Sequence, residues 1–126
     1  MDRDARALLR IPPLRREVTI TTHGGDFTAM PWPFADLDGI LMANALQFVA
    51  DQAAFIRSSQ PQLRARHRFL IVEYDTDAAN PWVPYPVNRV RLADLFTAAG
   101  YSSVKVLHSR PSAYQRAPLY AALIVR

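Results

Sequence analysis

The chain has no cysteine and only four glycines in 126 residues. Without thiols there is no disulfide and no thiolate metal site, and the redox compartment is left open. No apolar run reaches the roughly 20 residues needed to cross a bilayer. The longest, such as GILMANAL and YAALIV, are much shorter. The start, MDRDARALLR, has no apolar signal-peptide core, so secretion is not expected and the cytoplasm is. The three histidines, His23, His67 and His108, are far apart and lack ligand-like spacing, which argues against a metal site. No serine sits in a tight Gly-x-Ser-x-Gly turn, so a serine nucleophile has no recognisable setting. There is no internal repeat and no low-complexity tract.

What is present is ordinary for a globular chain. Half of the residues are apolar and 21% are charged, and the length suits one domain with a sizeable core. Residues 1–126 are therefore expected to form a single domain. The net charge of +4 rests on fourteen arginines and Lys105. These spread along the chain, with loose groups at Arg15–Arg16 and at Arg64, Arg66 and Arg68. A nucleic-acid surface concentrates charge on one face and interleaves stacking aromatics. Here the second group is expected to be a solvated connector before a strand, and nucleic acid is not the favoured partner.

The elements alternate. Arg3–Leu9 has helical spacing and should stop before Pro12 and Pro13. Glu17–Thr22 (EVTITT) is β-branched and alternating, which predicts a short strand closed by His23-Gly24-Gly25. An aromatic, proline-rich loop follows over Phe27–Ala35. Ile40–Ala43 reads as a buried strand, with a polar switch at Asn44. Asp51 is a plausible N-cap for a helix to about Ser59, with Ala53, Ala54 and Phe55 inward. Phe69–Tyr74 is an apolar strand ending on acidic residues. Asp75–Asn88 is a long proline-rich loop of the kind that covers a site. Val90–Ala99 is a helix closed by Gly100, and Val104–Leu107 and Tyr120–Val125 are strands. Strand–helix alternation predicts an α/β fold with a mostly parallel sheet. Polar groups then gather where the two middle strands end, the place where open α/β sheets bind ligands.

From Glu17 onward these pieces, in order, resemble the C-terminal part of a class I S-adenosylmethionine-dependent methyltransferase. The segments that carry the likeness are VTITTHGGDFTAMP, FADLDGILMANALQFV, DQAAFIRSS and RFLIVEYD, then the tail AGYSSVKVLHSR … YAALIVR. No single motif among them is invariant; order and spacing carry it. The resemblance implies a partial Rossmann-like methyltransferase sheet whose last strand runs antiparallel, with S-adenosyl-L-methionine as cofactor and a small-molecule substrate. It implies that Asp2 accepts from the cofactor ribose, that Asp26 accepts from the adenine amino group, and that Phe27 contacts the ring. Asn44, Ala45 and Leu46 would line the methionine end, with Gln47 continuing that wall. Glu73, Tyr74, Trp82 and Tyr85 would lie on the substrate side, and Glu73, Asp75 or Tyr85 could act as a base. Each position has a plainer reading. Asp2 suits a helix cap, Asp26 an Asx turn after two glycines, and Asn44 a turn residue. Trp82 and Tyr85 could simply pack the loop.

The departures from the family are specific. Its first strand and glycine-rich loop have no counterpart, His23-Gly24-Gly25 following the wrong strand to replace them. The turn before RFLIVEYD is also altered, to QPQLRARH. Missing central strands would leave hydrogen-bonding edges open. The expectation is a truncated form whose reading frame begins upstream, and activity of this chain alone is not expected. Direct closure of the VTITT strand against GILMA, or a second chain or homo-oligomer filling the gap, would be other ways to complete the sheet. The rival function is a non-catalytic methyltransferase-like remnant serving as a protein-interaction module. A nicotinamide-dependent Rossmann enzyme is disfavoured by the antiparallel-looking tail.

Overall fold

The computed structural model describes residues 1–10 and 17–126. The expected helix stop at Pro12 and Pro13 and the Arg15–Arg16 group lie outside the described residues. The chain divides into two compact units, Met1–Trp32 and Pro33–Arg126.

In the first unit, α1 spans Ala5–Leu9, capped by Asp4, whose carboxylate accepts from the Arg6 amide. Residues 17–22, expected as a strand, are not one: among the described residues of this unit the strand-like pairing is a single bridge between Asp2 and Gly24. Val18 and Ile20 remain 52% and 44% exposed. A β-branched alternation describes a surface that pleats well, but a strand exists only where a partner takes its hydrogen bonds.

The second unit carries the sheet. Its strands are β1 (Leu37–Ala43), β2 (Leu63–Tyr74), β3 (Ser103–Arg110) and β4 (Leu119–Val125), in the order β1-β2-β4-β3. Only β1 and β2 are parallel; β2–β4 and β3–β4 are antiparallel. The expectation of a mostly parallel sheet is thus corrected to a mixed one, while the antiparallel last strand is as expected. The reason lies in the connections. A helix separates β1 from β2 and returns the chain for parallel pairing, whereas β3 and β4 are joined directly.

β1 is not the buried strand expected from its apolar run. Among the described residues it is an edge: Met42 is buried but Leu41 is 66% exposed. β2 starts well before Phe69 and contains Arg64, Arg66 and Arg68, so that group is strand rather than connector. Those arginines are nonetheless exposed. The β1–β2 register jumps between Leu37↔Leu63 and Gly39↔Arg68. Inside the jump His67 turns inward, its Nδ1 facing the Arg64 carbonyl and its Nε2 on the Tyr101 hydroxyl. A ring nitrogen facing a carbonyl must donate, so in the neutral ring Nε2 is the acceptor for the Tyr101 hydroxyl.

One sheet face is closed by α2 (Gln52–Ser59) and α3 (Arg89–Ala98). Asp51 caps α2 by accepting from the Ala54 amide, and Asn88 caps α3 by accepting from Arg91. Phe55 and Ile56 of α2 are buried, while Ala53 and Ala54 are half-buried. Leu92 and Phe96, four residues apart on α3, are nearly inaccessible, as are Phe69 and Ile71 of β2 and Tyr120, Ala122 and Ile124 of β4. Phe69, Phe96 and Tyr101 pack edge to face at 5.0–5.7 Å. Gly100, at φ 97, terminates α3 in the left-handed position.

Candidate functional site

The site begins where β1 ends. Asn44 has φ 50, a left-handed conformation that asparagine tolerates better than most residues. Its amide still bonds to the Val72 carbonyl at 2.8 Å, so the chain leaves the sheet abruptly but from a fixed point. The next residues form a short 3₁₀ turn, Leu46–Phe48.

Glu73, near the end of the adjacent strand β2, is 1% exposed and faces the start of that turn. The Gln47 amide donates to Oε1 at 3.2 Å, and the amides of Leu46 and Ala45 bear on the same carboxyl. Burial pushes the Glu73 pKa up to about 7, against the lowering pull of those amides. A buried carboxyl thereby does the work of a cap for a turn that has no side-chain cap of its own.

Two buried glutamines fasten the turn to the long loop that follows β2. Gln47 Nε2 donates to the carbonyls of Asn44 (3.4 Å) and Trp82 (3.3 Å). Gln52 Nε2 donates to Leu46 (3.2 Å) and Tyr85 (2.9 Å), while its oxygen accepts from Arg91 Nε at 3.1 Å. The Tyr85 amide closes the set on the Gln47 carbonyl. The loop's other end is held at Asp75, whose carboxylate takes both the Arg89 amide and its guanidinium. Partial burial raises the Asp75 pKa, but the Arg89 bonds outweigh it and leave the group below its ordinary value.

These elements bound an open cleft of about 550 Å³ lined by Asn44, Gln47, Tyr74, Asn80, Trp82, Tyr114 and Gln115. Trp82 and Tyr114 stand 71% and 88% exposed at its rim. Asn80 ties the two sides together, its Nδ2 donating to Gln115 at 3.4 Å and its Oδ1 accepting from Trp82 and Val83. Among the described residues, three buried side-chain polar atoms lack a partner: Asn44 Oδ1, Gln47 Oε1 and Glu73 Oε2. All three are oxygens. Buried acceptors are normally satisfied, so three unsatisfied ones are an observation that needs a donor.

The residues singled out from sequence fall into two groups. Asn44, Ala45, Leu46, Glu73 and Tyr74 come together at the strand ends, with Trp82 across the cleft. Tyr85 is joined to the same group through its backbone. Asp2, Asp26 and Phe27 belong to the first unit. There the Asp2 carboxylate accepts from the Asp4 amide, and its backbone pairs with His23 and Gly25. Asp26 forms an Asx turn, accepting from the amide and hydroxyl of Thr28, and lies 3.7 Å from Arg3. Those bonds from Thr28 hold its carboxyl below the usual range. The Phe27 carbonyl accepts from Trp32 Nε1.

Sequence reading missed Gln52, Asn80, Tyr114 and Gln115. Asn80 sat in the loop already marked as site-covering; the other three carried no local signal. No group of three or more histidine, cysteine or acidic side chains that could hold a metal occurs among the described residues. No helix of the described residues is long and apolar enough to cross a membrane.

The fold is that of the class I S-adenosylmethionine-dependent methyltransferases. A methyltransferase from Methanosarcina mazei superposes with a TM-score of 0.66 at 11% identity, covering 97% of this chain and 75% of that one. A Thermotoga maritima protein, described as a possible histamine N-methyltransferase, gives 0.64 at 15% identity, over 84% and 64%. The Burkholderia thailandensis 1,6-didemethyltoxoflavin-N1-methyltransferase, solved with 1,6-didemethyltoxoflavin and S-adenosylhomocysteine, gives 0.58 at 18%, over 82% and 49%. The chain thus spans from about half to three quarters of the length of these proteins. No protein-family model matches the chain, and no curated protein matches it in sequence.

Proposed function

We propose that the protein is an S-adenosyl-L-methionine-dependent methyltransferase acting on a small molecule, with the cleft at the ends of β1 and β2 as the meeting place of the two reactants. The observation that carries this reading is the cleft lined by Asn44, Gln47, Tyr74 and Trp82, on a methyltransferase fold, where the two parallel strands end. The cofactor carries an ammonium and a sulfonium, and the uncharged polar residues Asn44 and Gln47 suit that end of it. Asn44 is assigned to that end, with Ala45 and Leu46 continuing the wall. The fit is confined to that end: the four glycines are at 24, 25, 39 and 100, and Gly39 packs in β1 against the Arg68 carbonyl rather than forming a cradle. The ribose and adenine roles of Asp2, Asp26 and Phe27 remain part of the proposal, as does a cytoplasmic location.

When bound, the cofactor supplies an electrophilic methyl group on sulfur. The chain's part is to orient the acceptor and exclude water. Tyr74 and Trp82 offer apolar walls, and Tyr85 anchors the loop carrying Trp82. Of the groups considered as a base, Asp75 is committed to Arg89 and Tyr85 contributes backbone bonds. Glu73 has a pKa of about 7 but is 1% exposed and does not line the cleft, so it holds the Gln47 amide rather than reaching the acceptor. Among the described residues β1 is an edge strand paired to β2 alone, which supports completion of the sheet by a further strand, from a second chain or a second copy.

Calorimetric titration of the chain with S-adenosyl-L-methionine tests the reading. Micromolar binding, weakened by Asn44→Leu, is the expected result; no binding at millimolar cofactor overturns it.

A further inference from the structure

Two parts of this chain have strand chemistry without a strand partner. The first is the edge of β1. Among the described residues β1 pairs with β2 alone, in a regular run from Gly39↔Arg68 to Ala43↔Val72. Alternate amides and carbonyls of that run therefore point away from the sheet. Edge strands are usually protected by lysine, proline or a charge that spoils further pairing. The sequence of β1, LDGILMA, holds no lysine or proline, and its single charge, Asp38, is taken by Arg64 at 2.9 Å. Leu41, in the middle of the run, is 66% exposed. The second part is the segment 17–22, EVTITT. Five of its six residues are β-branched and uncharged, a composition that suits a pleated strand. All six are exposed. Among the described residues no backbone hydrogen bond joins this segment to another.

We infer that the protein forms a two-fold dimer in which residues 17–22 of each copy add as a strand to the β1 edge of the other. The inference rests on the proposed completion of the sheet by a further strand and names that strand; methyl transfer is not needed for it. The two parts match in length, a six-residue segment against a five-residue run, and in polarity, since neither brings an unpaired charge except Glu17 at the segment's end. Pairing would withdraw Leu41, Val18 and Ile20 from water together, residues that are 66%, 52% and 44% exposed. A second copy is the occupant because exchange satisfies both parts at once. A foreign strand on β1 would leave residues 17–22 still unpaired in every chain. Each copy has one segment to give and one edge to receive, so a reciprocal exchange closes at two and leaves no site for further growth.

The test is sedimentation of the full chain without cofactor, joined to amide hydrogen exchange over the same concentrations. A dimer that dissociates on dilution is expected, with the amides of residues 17–22 and of β1 gaining protection together as it forms. The double variant Ile20→Pro, Thr21→Pro removes a ladder donor whichever of two adjacent amides faces β1, and Leu41→Lys charges the receiving edge. Each should weaken the dimer about tenfold, the effect of one lost ladder bond. Both changes fall on exposed residues, so circular dichroism of the dissociated chain should be unaltered. A monomer at every concentration up to roughly 1 mM overturns the inference. So does a dimer in which residues 17–22 exchange freely, or one that withstands the proline pair. A monomer that binds S-adenosyl-L-methionine sinks the exchange alone. An exchanged dimer that does not bind it sinks the methyl-transfer reading and leaves the dimer standing.

Discussion

The Gln47 amide donates to the carboxyl of Glu73 across 26 residues of sequence, joining the turn after β1 to the end of β2. That bond places a buried acid beneath the cleft floor, so protonation of Glu73 and the position of Gln47 are linked.

Glu73 should make stability depend on pH. Its folded pKa is raised from 4.5 to about 7, so between those values the folded protein binds more protons than the unfolded chain. The sign follows directly: stability from this group is complete below pH 4.5 and declines as pH rises through 7. The total is about 3 kcal/mol, from 1.36 kcal/mol per pKa unit. Asp26 and Asp75, with lowered values, act in the opposite sense but only in more acidic solution. Urea denaturation at pH 5 and pH 8 should show the loss in the wild type and a flat response in Glu73→Gln. An equally steep response in the variant would assign the effect to another group.

Gln52 is 1% exposed and bridges the 3₁₀ turn, the loop and α3. Gln52→Met keeps most of the volume but leaves two carbonyls and the Arg91 guanidinium short of a partner. The cost should be about 2–4 kcal/mol, given roughly 1–3 kcal/mol for each buried group left unsatisfied. A shift in the urea midpoint worth less than 1 kcal/mol (on the order of one ordinary exposed hydrogen bond) would show that water replaces these bonds.

Tyr120 is buried in β4 opposite Glu73, and its hydroxyl donates to the Val87 carbonyl at 2.6 Å. Burial drives its pKa far upward, with Glu73 and Asp75 adding to the effect, so the phenol stays a donor at any practical pH. Tyr120→Phe should destabilise by about 1–2 kcal/mol through the carbonyl it abandons. Hydrogen exchange should show faster opening around Val87 while β2 and β4 stay protected.

Gly39 is required by close approach. A Cβ there would meet the Arg68 carbonyl oxygen at 2.8 Å, backbone that cannot swing aside. Gly39→Ala should cost about 1–3 kcal/mol, the usual range for overpacking. Trp82→Ala provides the contrast, since its side chain is mostly exposed. Stability should change by less than about 0.5 kcal/mol. Calorimetric unfolding of both variants separates the two cases.

The elements read correctly from sequence are those whose signals are local. Asp51 caps its helix because a short acceptor side chain reaches an amide three residues away. Gly100 ends α3 because a left-handed residue suits glycine. The strand Phe69–Tyr74 and the proline-rich loop after it were equally legible from apolar run and composition. Residues 17–22 failed for the opposite reason, because a strand needs a partner that no six-residue pattern contains. Arg64–Arg68 misled because charge suggested a connector, whereas exposed arginines are tolerated in a strand whose neighbour shifts register at that point.

From the sequence alone came the order of strands and helices, the family it resembles, and the clustering of polar residues at two strand ends. Those properties are written in periodicity, capping and spacing along the chain. That β1 and β2 are the sheet's one parallel pair among the described residues, that β1 is an edge there, and which oxygens are stranded without donors were settled only in three dimensions. Hydrogen bonds between residues 26 to 35 positions apart leave no periodic trace, and an acceptor is orphaned only once its neighbours have been buried around it.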